Sequence, residues 1–522
     1  MQALTLTALI LVCLGGCSCY GTYYENCDDV AIVGGGIAGS YAAWRLRHTN
    51  QRITIYEYSN RIGGRLNTYH FPTAPDINVE LGAMRFYPEV HKLLNKTICD
   101  VGLEQEVFEL GGLAKSPNTL MYLRGNHLRF EEIGGTRTPY GLRPSQLKPP
   151  DQLKRELFNK YTNVQYFNDP ASQKFNVKTV DGVYLNDQSV KAFYLKYGGQ
   201  EVYNYLNDLN GFNSMQGSDT SATVALPTTP PIKPIVNTIT GGMNQLPERL
   251  VDMFLQACKK HSLHLNKNLI AIKKRFDGKY DLFFQGTDTI NGQTNIRKDK
   301  NLIRHCAKKV ILGINRLGLK QLDWDVLYQA HIRKLLTDAT EDINKSKLFL
   351  VYDYPWWRRK DLNTNYIASD TPLRHTYDFG TSKYTHKSVL NAMYLDEDVD
   401  VWLELARRDN RNAGVNDYTF KPGNETICFA HKYLSEIYQI PLKHIPYPVD
   451  GIIVFWKNYP WGGDWNFWKP GYIWNEVEKQ MIQPSKNDEI YIANNAFNSG
   501  TIPIWSQAAL EIVECVLKQM KM

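Results

Sequence analysis

The stretch Asp28–Glu57, DDVAIVGGGIAGSYAAWRLRHTNQRITIYE, constrains the fold more than any other part of this chain. Val30–Val33 is a short apolar run of the kind that forms a buried strand. Glycines follow in the spacing Gly34-x-Gly36-x-x-Gly39, then a helical stretch, SYAAWRLR, and a second strand-like run, ITIYE, ending in Glu57. In this context the glycines are the fingerprint of a βαβ unit that binds a dinucleotide. Gly34 permits the tight turn, Gly36 lets a pyrophosphate approach the backbone, and Gly39 lets helix and strand pack closely. The helix N-terminus turns N–H groups and its positive dipole end toward the phosphates. Glu57 is placed to accept hydrogen bonds from an adenosine ribose.

The next run, EYSNRIGGRLNT, puts Arg61 and Arg65 around the pair Gly63-Gly64. Bare backbone and guanidinium groups suit a second anchor on a bound anion. A nicotinamide enzyme has no general need for such an anchor, which points to a flavin dinucleotide.

The remaining totals bound the answer. With 522 residues the chain exceeds one hydrophobic core, so two or three domains are expected. The net charge of +7 is modest and its basic residues are scattered, which argues against a nucleic-acid partner. Residues 1–19 carry an apolar run closing on small residues, read as a secretory signal. No other run is long and apolar enough for a membrane span. The chain has nine cysteines, and none of the six outside that signal forms a CxxC pair, so no metal is expected. Some should pair as disulfides in an exported chain, with no connectivity evident. Sequons at Asn95, Asn344 and Asn424 fit a glycoprotein.

The R-x-G-G-R run following the βαβ unit resembles the flavin-containing amine oxidase superfamily. Further segments match it in order: ELGAMRF (Glu80–Phe86), TITGGMNQLPERL, NLIAIKK, KVILGIN, SKLFLVYDYPWW and DEIYIANNAFNSGTIPIWSQAALE. The likeness spans residues 28–515, with the nearest look being the secreted molluscan L-amino-acid oxidases. It implies an α/β fold: a Rossmann-like FAD-binding domain of the GR2 type, a substrate domain and a helical insertion. The FAD-binding part would take 28–70, 236–322 and 450–522, the substrate domain 71–125 and 323–449, and the insertion 126–235. The proline-rich Ala225–Pro234 would be the linker leaving the insertion.

The resemblance also implies roles. FAD would be held by Gly34, Gly36, Ala38, Gly39, Glu57, Arg65, Gly82, Ala83, Met84, Arg85, Leu269 and Asn495. Arg85 would grip the substrate carboxylate, since a guanidinium takes a carboxylate by two parallel bonds. Lys347 would hold a water beneath flavin N5 and favour the reduced cofactor by its charge. Of the five tryptophans in FWKNYPWGGDWNFWKPGYIW, Trp465 is expected beside the substrate and at least half of the rest in the core.

The chain also departs from the family pattern. No histidine lies between His127 and His261, where some relatives carry one proposed as a base. Asn207 and Asp208 occupy that neighbourhood. Ala493-Asn494-Asn495 stands where relatives have a Gly-x-acid, and Gln507 stands near another usual acidic or small position. The expected activity is oxidative deamination of an L-amino acid by FAD and dioxygen, giving a 2-oxo acid, ammonia and hydrogen peroxide, in a secreted, defensive protein for which the resemblance also allows a homodimer. A basic substrate would fit the resemblance, with Asp208 or Asp464 to receive it. Two other readings stay open: an amine or polyamine oxidase, and a silent glycoprotein of the same fold.

Overall fold

The computed structural model describes residues 26–522 apart from 109–118, 165–170, 211, 218, 227–234, 300, 415–416, 459, 464 and 501–504. The signal segment, Asp464 and most of the proline-rich linker therefore lie outside the described residues.

Val30, Ala31 and Ile32 have no exposed surface, so the apolar run becomes an inner strand, β1 (Asp28–Val33). It pairs in parallel on one side with β2 (Ile53–Tyr56), from Val30↔Ile53 to Val33↔Tyr56. On the other side it pairs in parallel with Leu302–Leu312, from Asp28↔Ala307 to Val33↔Leu312. The crossover helix α1 (Ile37–Leu46) buries Ala38, Tyr41, Ala42 and Ala43. It packs with the helices Gln245–Ala257 and Trp505–Gln519 over one face of the sheet. The full strand order is 267–274, 280–290, 302–312, 28–33, 53–56, 262–264, with 490–492 joining 302–312 in parallel. Three distant stretches of chain thus build the one sheet that carries the glycine turn. A disulfide joins Cys27 to Cys306, at the end of β1 where Asp28 faces Ala307.

A second sheet has the order 419–420, 450–455, 346–352, 388–395, 375–381, 366–369, 119–123, 126–129. Every residue of Ser346–Tyr352 is buried, which explains why that segment reads as a nearly unbroken apolar run. The helices Val399–Asp409 and Asn424–Tyr438 cover its outer face. Two pairings cross the divisions expected from sequence. Asp450–Phe455 pairs antiparallel with Ser346–Tyr352, so it lies in this sheet and not in the nucleotide-binding one. The hairpin 119–129 closes at Leu123↔Asn126, across the expected cut between 125 and 126.

Residues 126–235 include the helices Pro150–Tyr161, Val190–Tyr197 and Gln200–Asn210. Phe158, Phe193, Tyr194 and Tyr205 from these helices share one apolar cluster with Phe349, Val351, Tyr377 and Val454 of the second sheet. That joint core leaves the site between the two sheets, with the insertion at one side.

Candidate active site

A cavity of about 380 Å³ runs between the sheets, within the ordinary size range of small-molecule sites. Gly34, Gly36, Ala38, Glu57, Leu269 and Asn315 line it from the nucleotide-binding side. Arg85, Phe212, Lys345, Tyr394, Trp461 and Trp465 line it elsewhere.

The turn after β1 is built as the fingerprint requires. Gly34 has φ +104°, and a Cβ there would lie 2.5 Å from the Gly313 carbonyl oxygen. A Cβ on Gly39 would fall 3.0 Å from the Gly34 carbonyl carbon and closer still to its oxygen. Gly36 is the N-cap of α1 and makes no side-chain capping bond, and nothing lies within 4 Å of where its Cβ would be. The first N–H groups of α1 therefore open onto the cavity. The Glu57 carboxylate accepts from the Gly35 N–H at 2.6 Å and from the Ser59 N–H and hydroxyl at 2.8 Å each. It is locked in place on the cavity wall.

The two arginines of the R-x-G-G-R run divide their work. Arg61 turns back on its own turn, donating to the carbonyls of Gly64 at 2.7 Å and Ile62 at 3.3 Å, with its guanidinium over the Trp461 ring. Only Arg65 lines the cavity. Its guanidinium donates to the Gly463 carbonyl at 3.3 Å and to Asn495 Oδ1 at 3.2 Å. Asn495 thus serves the arginine directly.

Gly82 is fixed by a close approach. A Cβ there would stand 2.9 Å from the Arg65 carbonyl carbon and closer still to its oxygen. That oxygen already accepts from the Ala83 N–H at 3.1 Å. Arg85, only 9% exposed, places its guanidinium 5.6 Å from the Phe108 ring. Burial works against its charge, but Tyr377, Tyr87, Tyr394 and Tyr366 around it hold its pKa above the usual arginine value.

Lys347 does not line the cavity; it stands one layer behind. Its ammonium donates to the carbonyls of Glu80 at 2.8 Å and Gly82 at 2.5 Å. The buried Glu80 carboxyl accepts from the Met243 N–H at 2.9 Å and the Thr68 hydroxyl at 3.0 Å. Burial raises its pKa to about 7, against the pull of those bonds and of Lys347.

Trp465 lines the cavity, as does Trp461. Trp456, Trp468 and Trp474 are core: Trp456 donates to the Leu81 carbonyl at 2.9 Å, and Trp468 stacks on Trp474 at 5.6 Å. Leu269, Ala83 and Met84 also reach the cavity. Asp208 does not line it: its carboxylate accepts from the Tyr140 hydroxyl at 2.8 Å and lies 3.6 Å from Arg374. Asn207 donates to Asn213 at 3.1 Å. Ala493 continues the strand through its N–H to the Leu312 carbonyl, and Asn494 donates to the Ile314 carbonyl at 2.8 Å. Gln507 accepts from the Leu94 N–H at 2.9 Å, tying two helices together. Asn424 is exposed, whereas Asn95 and Asn344 are half-buried.

The sequence reading missed Lys345, Phe212 and Tyr394. The Lys345 ammonium lies 3.3 Å from the Trp465 ring centre and 3.4 Å from that of Phe212, and donates to the Tyr394 hydroxyl at 3.3 Å. A second lysine two positions before Lys347 was the only available signal.

The flavin containing amine oxidoreductase family profile matches residues 37–503, and the chain belongs to that family. Achacin of Lissachatina fulica is 31% identical over 502 residues, covering 94% of this chain and 92% of achacin. Aplysianin-A of Aplysia kurodai is 29% identical over 510 residues, covering 95% and 91%. An L-amino-acid oxidase of Sistrurus catenatus edwardsii is 23% identical, covering 79% and 75%. Among solved structures, wild-type putrescine oxidase bound to putrescine superposes with a TM-score of 0.66 at 16% identity, covering 95% and 99%, which shows the shared fold. The protein is a flavoprotein oxidoreductase of the amine and amino-acid oxidase kind, with FAD as cofactor and a small molecule and dioxygen as reactants. The glycine cradle, the uncapped start of α1, the fixed Glu57 and the Arg65 guanidinium fit that cofactor. Among the described residues no helix is long and apolar enough to cross a membrane.

Proposed function

We propose that this protein is an exported, glycosylated L-amino-acid oxidase that releases hydrogen peroxide in a defensive role. The buried Arg85 on the cavity wall carries the reading. A cationic amine has no use for a guanidinium and is repelled by it, whereas an amino acid brings the carboxylate that a guanidinium binds.

FAD, held by the Gly34–Gly39 turn, Glu57 and Arg65, would supply the oxidation of the substrate Cα–N bond, with dioxygen as the final electron acceptor. Arg85 holds the carboxylate and so fixes which way the Cα–H points. Trp461, Trp465, Phe212 and Tyr394 wall the site and keep bulk water out. Lys347, anchored on the Glu80 and Gly82 carbonyls, holds positive charge one layer behind the cavity wall, which would favour a reduced, anionic cofactor. With Asp208 committed to Tyr140 and lying off the cavity, the substrate binds as the neutral amine. The imino acid then takes up water to give the 2-oxo acid and ammonia. Per turnover one amino acid, one dioxygen and one water give one 2-oxo acid, one ammonia and one hydrogen peroxide.

The test is Arg85→Ala in purified holoprotein, with peroxide release measured for a set of L-amino acids and for primary amines. The expected fall in kcat/KM for amino acids is roughly hundredfold or more, the scale for losing one partner of a buried charge pair. Unchanged amino-acid oxidation would take Arg85 out of substrate binding, and amine oxidation with no amino-acid activity in the parent would assign the protein to amines.

A further inference from the structure

We infer that Arg374 and Asp396 are positioning residues of the active site: between them they pin Asn213 and Ser214, and so seat Phe212 in the cavity wall beside Arg85. This rests on the amino-acid-oxidase reading above and names residues that act on the same site through a neighbour.

The helix Gln200–Asn210 ends just before Phe212, and the chain then turns through one short 3₁₀ helix, Asn213–Gln216. A helix start leaves N–H groups without partners, and Phe212, at the capping position, has no side-chain acceptor to offer. Asp396, just past the strand Ser388–Leu395, supplies the acceptor from a distant part of the chain. Its carboxylate accepts from the Asn213 N–H at 3.0 Å, from the Ser214 N–H at 3.2 Å and from the Ser214 hydroxyl. Arg374 holds the same turn from a third segment. Its buried guanidinium donates to Asn213 Oδ1, and to the Ser369 carbonyl at 3.3 Å. Asn207 donates to that same Oδ1 at 3.1 Å, and Asp208 and Glu397 each lie 3.6 Å from the guanidinium. Asn207 and Asp208, which sequence set in the neighbourhood of a base, are thereby committed to the clamp.

What the clamp holds is Phe212. The centre of its ring lies 4.5 Å from that of His375, 5.0 Å from Tyr394 and 5.5 Å from Trp465. His375 directly follows Arg374, and Tyr394 stands two residues before Asp396. Each arm of the clamp therefore carries a ring that Phe212 meets. Tyr394 belongs to the tyrosines around Arg85, and His375 shares a 2.7 Å hydrogen bond with Tyr366, another of them. Phe212 thus closes the wall on the Arg85 side. Loss of either arm frees the turn, lets the ring leave and admits water to the guanidinium, where water weakens any bond to a carboxylate.

The experiment is a double-mutant cycle between Asp396→Ala and Phe212→Ala in the holoprotein. Three quantities are read: KM for the best amino-acid substrate, the dissociation constant of benzoate from flavin absorption, and amide exchange at Asn213 and Ser214 by mass spectrometry. Each single variant should weaken the amino acid and benzoate about tenfold or more, the scale of one hydrogen bond to a charged group, with parental flavin content. The double variant should be no weaker than Phe212→Ala alone, because Asp396 acts through that ring. Exchange should quicken in Asp396→Ala and stay parental in Phe212→Ala. Asp396→Asn, which keeps one acceptor oxygen, should recover part of both, and Arg374→Gln should follow Asp396→Ala. Losses that add in the double variant, or parental binding in Asp396→Ala or Arg374→Gln, overturn the inference. The parent alone gives a test that survives a variant failing to fold: its Asn213 and Ser214 amides should exchange at least about tenfold slower than unprotected ones, and unprotected exchange overturns the inference. Amino-acid oxidation with additive losses would sink the clamp and leave the oxidase standing. A non-additive cycle in benzoate binding with no amino acid oxidised would do the reverse.

Discussion

Gly82→Ala is the smallest change that tests how the site is assembled. The new Cβ would lie 2.9 Å from the Arg65 carbonyl carbon and closer still to the oxygen, against an ordinary contact of about 3.5 Å. The carbonyl cannot swing away without losing the Ala83 N–H, bound at 3.1 Å. Gly82 cannot retreat either, since its own carbonyl accepts from the Lys347 ammonium at 2.5 Å and Trp456 stands 3.3 Å from the new methyl. Overpacking a tight site costs about 1–3 kcal/mol, and weakening a hydrogen bond to a charged group costs a further ~1.5–3 kcal/mol. The sum, about 2.5–6 kcal/mol, falls where the Arg65 and Arg85 segments meet. Thermal unfolding and flavin content of purified protein measure it: the variant should unfold several degrees lower and retain less FAD. A variant with parental unfolding temperature and full flavin would refute the close approach and, with it, the placing of Lys347 behind Gly82.

Two further outcomes follow from the same geometry. Glu57→Gln replaces one of the two carboxylate oxygens that accept from the Gly35 N–H and from the Ser59 N–H and hydroxyl. FAD affinity of the apoprotein, followed by flavin fluorescence quenching, should weaken about ten- to a hundredfold, the equivalent of ~1–3 kcal/mol; unchanged affinity would mean Glu57 only braces the turn. Glu80 is a carboxyl whose folded pKa, about 7, lies above its ordinary value of 4.5, chiefly through burial. Its contribution to stability is therefore full below pH ~4.5 and is lost as pH rises through about 7. The unfolding temperature of the parent should fall more between pH 5 and pH 8 than that of Glu80→Gln, and parallel curves would show that Glu80 does not titrate there.

The parts of the site legible in sequence are those where chemistry is demanded locally. Gly34, Gly39 and Glu57 are dictated by a turn, a close packing and an acceptor within one βαβ unit, so spacing alone revealed them. Gly82 and Arg85 were reached through resemblance, because the oxygen that forbids a side chain at Gly82 belongs to Arg65, on another strand connection. Arg61 looked like a partner for a bound anion, but its guanidinium finds the carbonyls of Gly64 and Ile62 first. The Cys27–Cys306 pairing spans 279 residues and leaves no local trace. The placing of Asp450–Phe455 in the second sheet depends on its pairing with Ser346–Tyr352, which an apolar run does not announce. Lys345 was invisible for a related reason. Its neighbours Phe212 and Trp465 come from the insertion and from the tryptophan-rich segment, and only the fold brings the three together.

The central claim is that this flavoprotein oxidises an amino acid. The direct measurement is the visible absorption spectrum of the purified holoprotein, recorded without oxygen as each L-amino acid is added in turn. The account predicts flavin bands that bleach with at least one amino acid and return when air is admitted. Bands that persist through all of the L-amino acids, yet bleach with a simple amine, would contradict it.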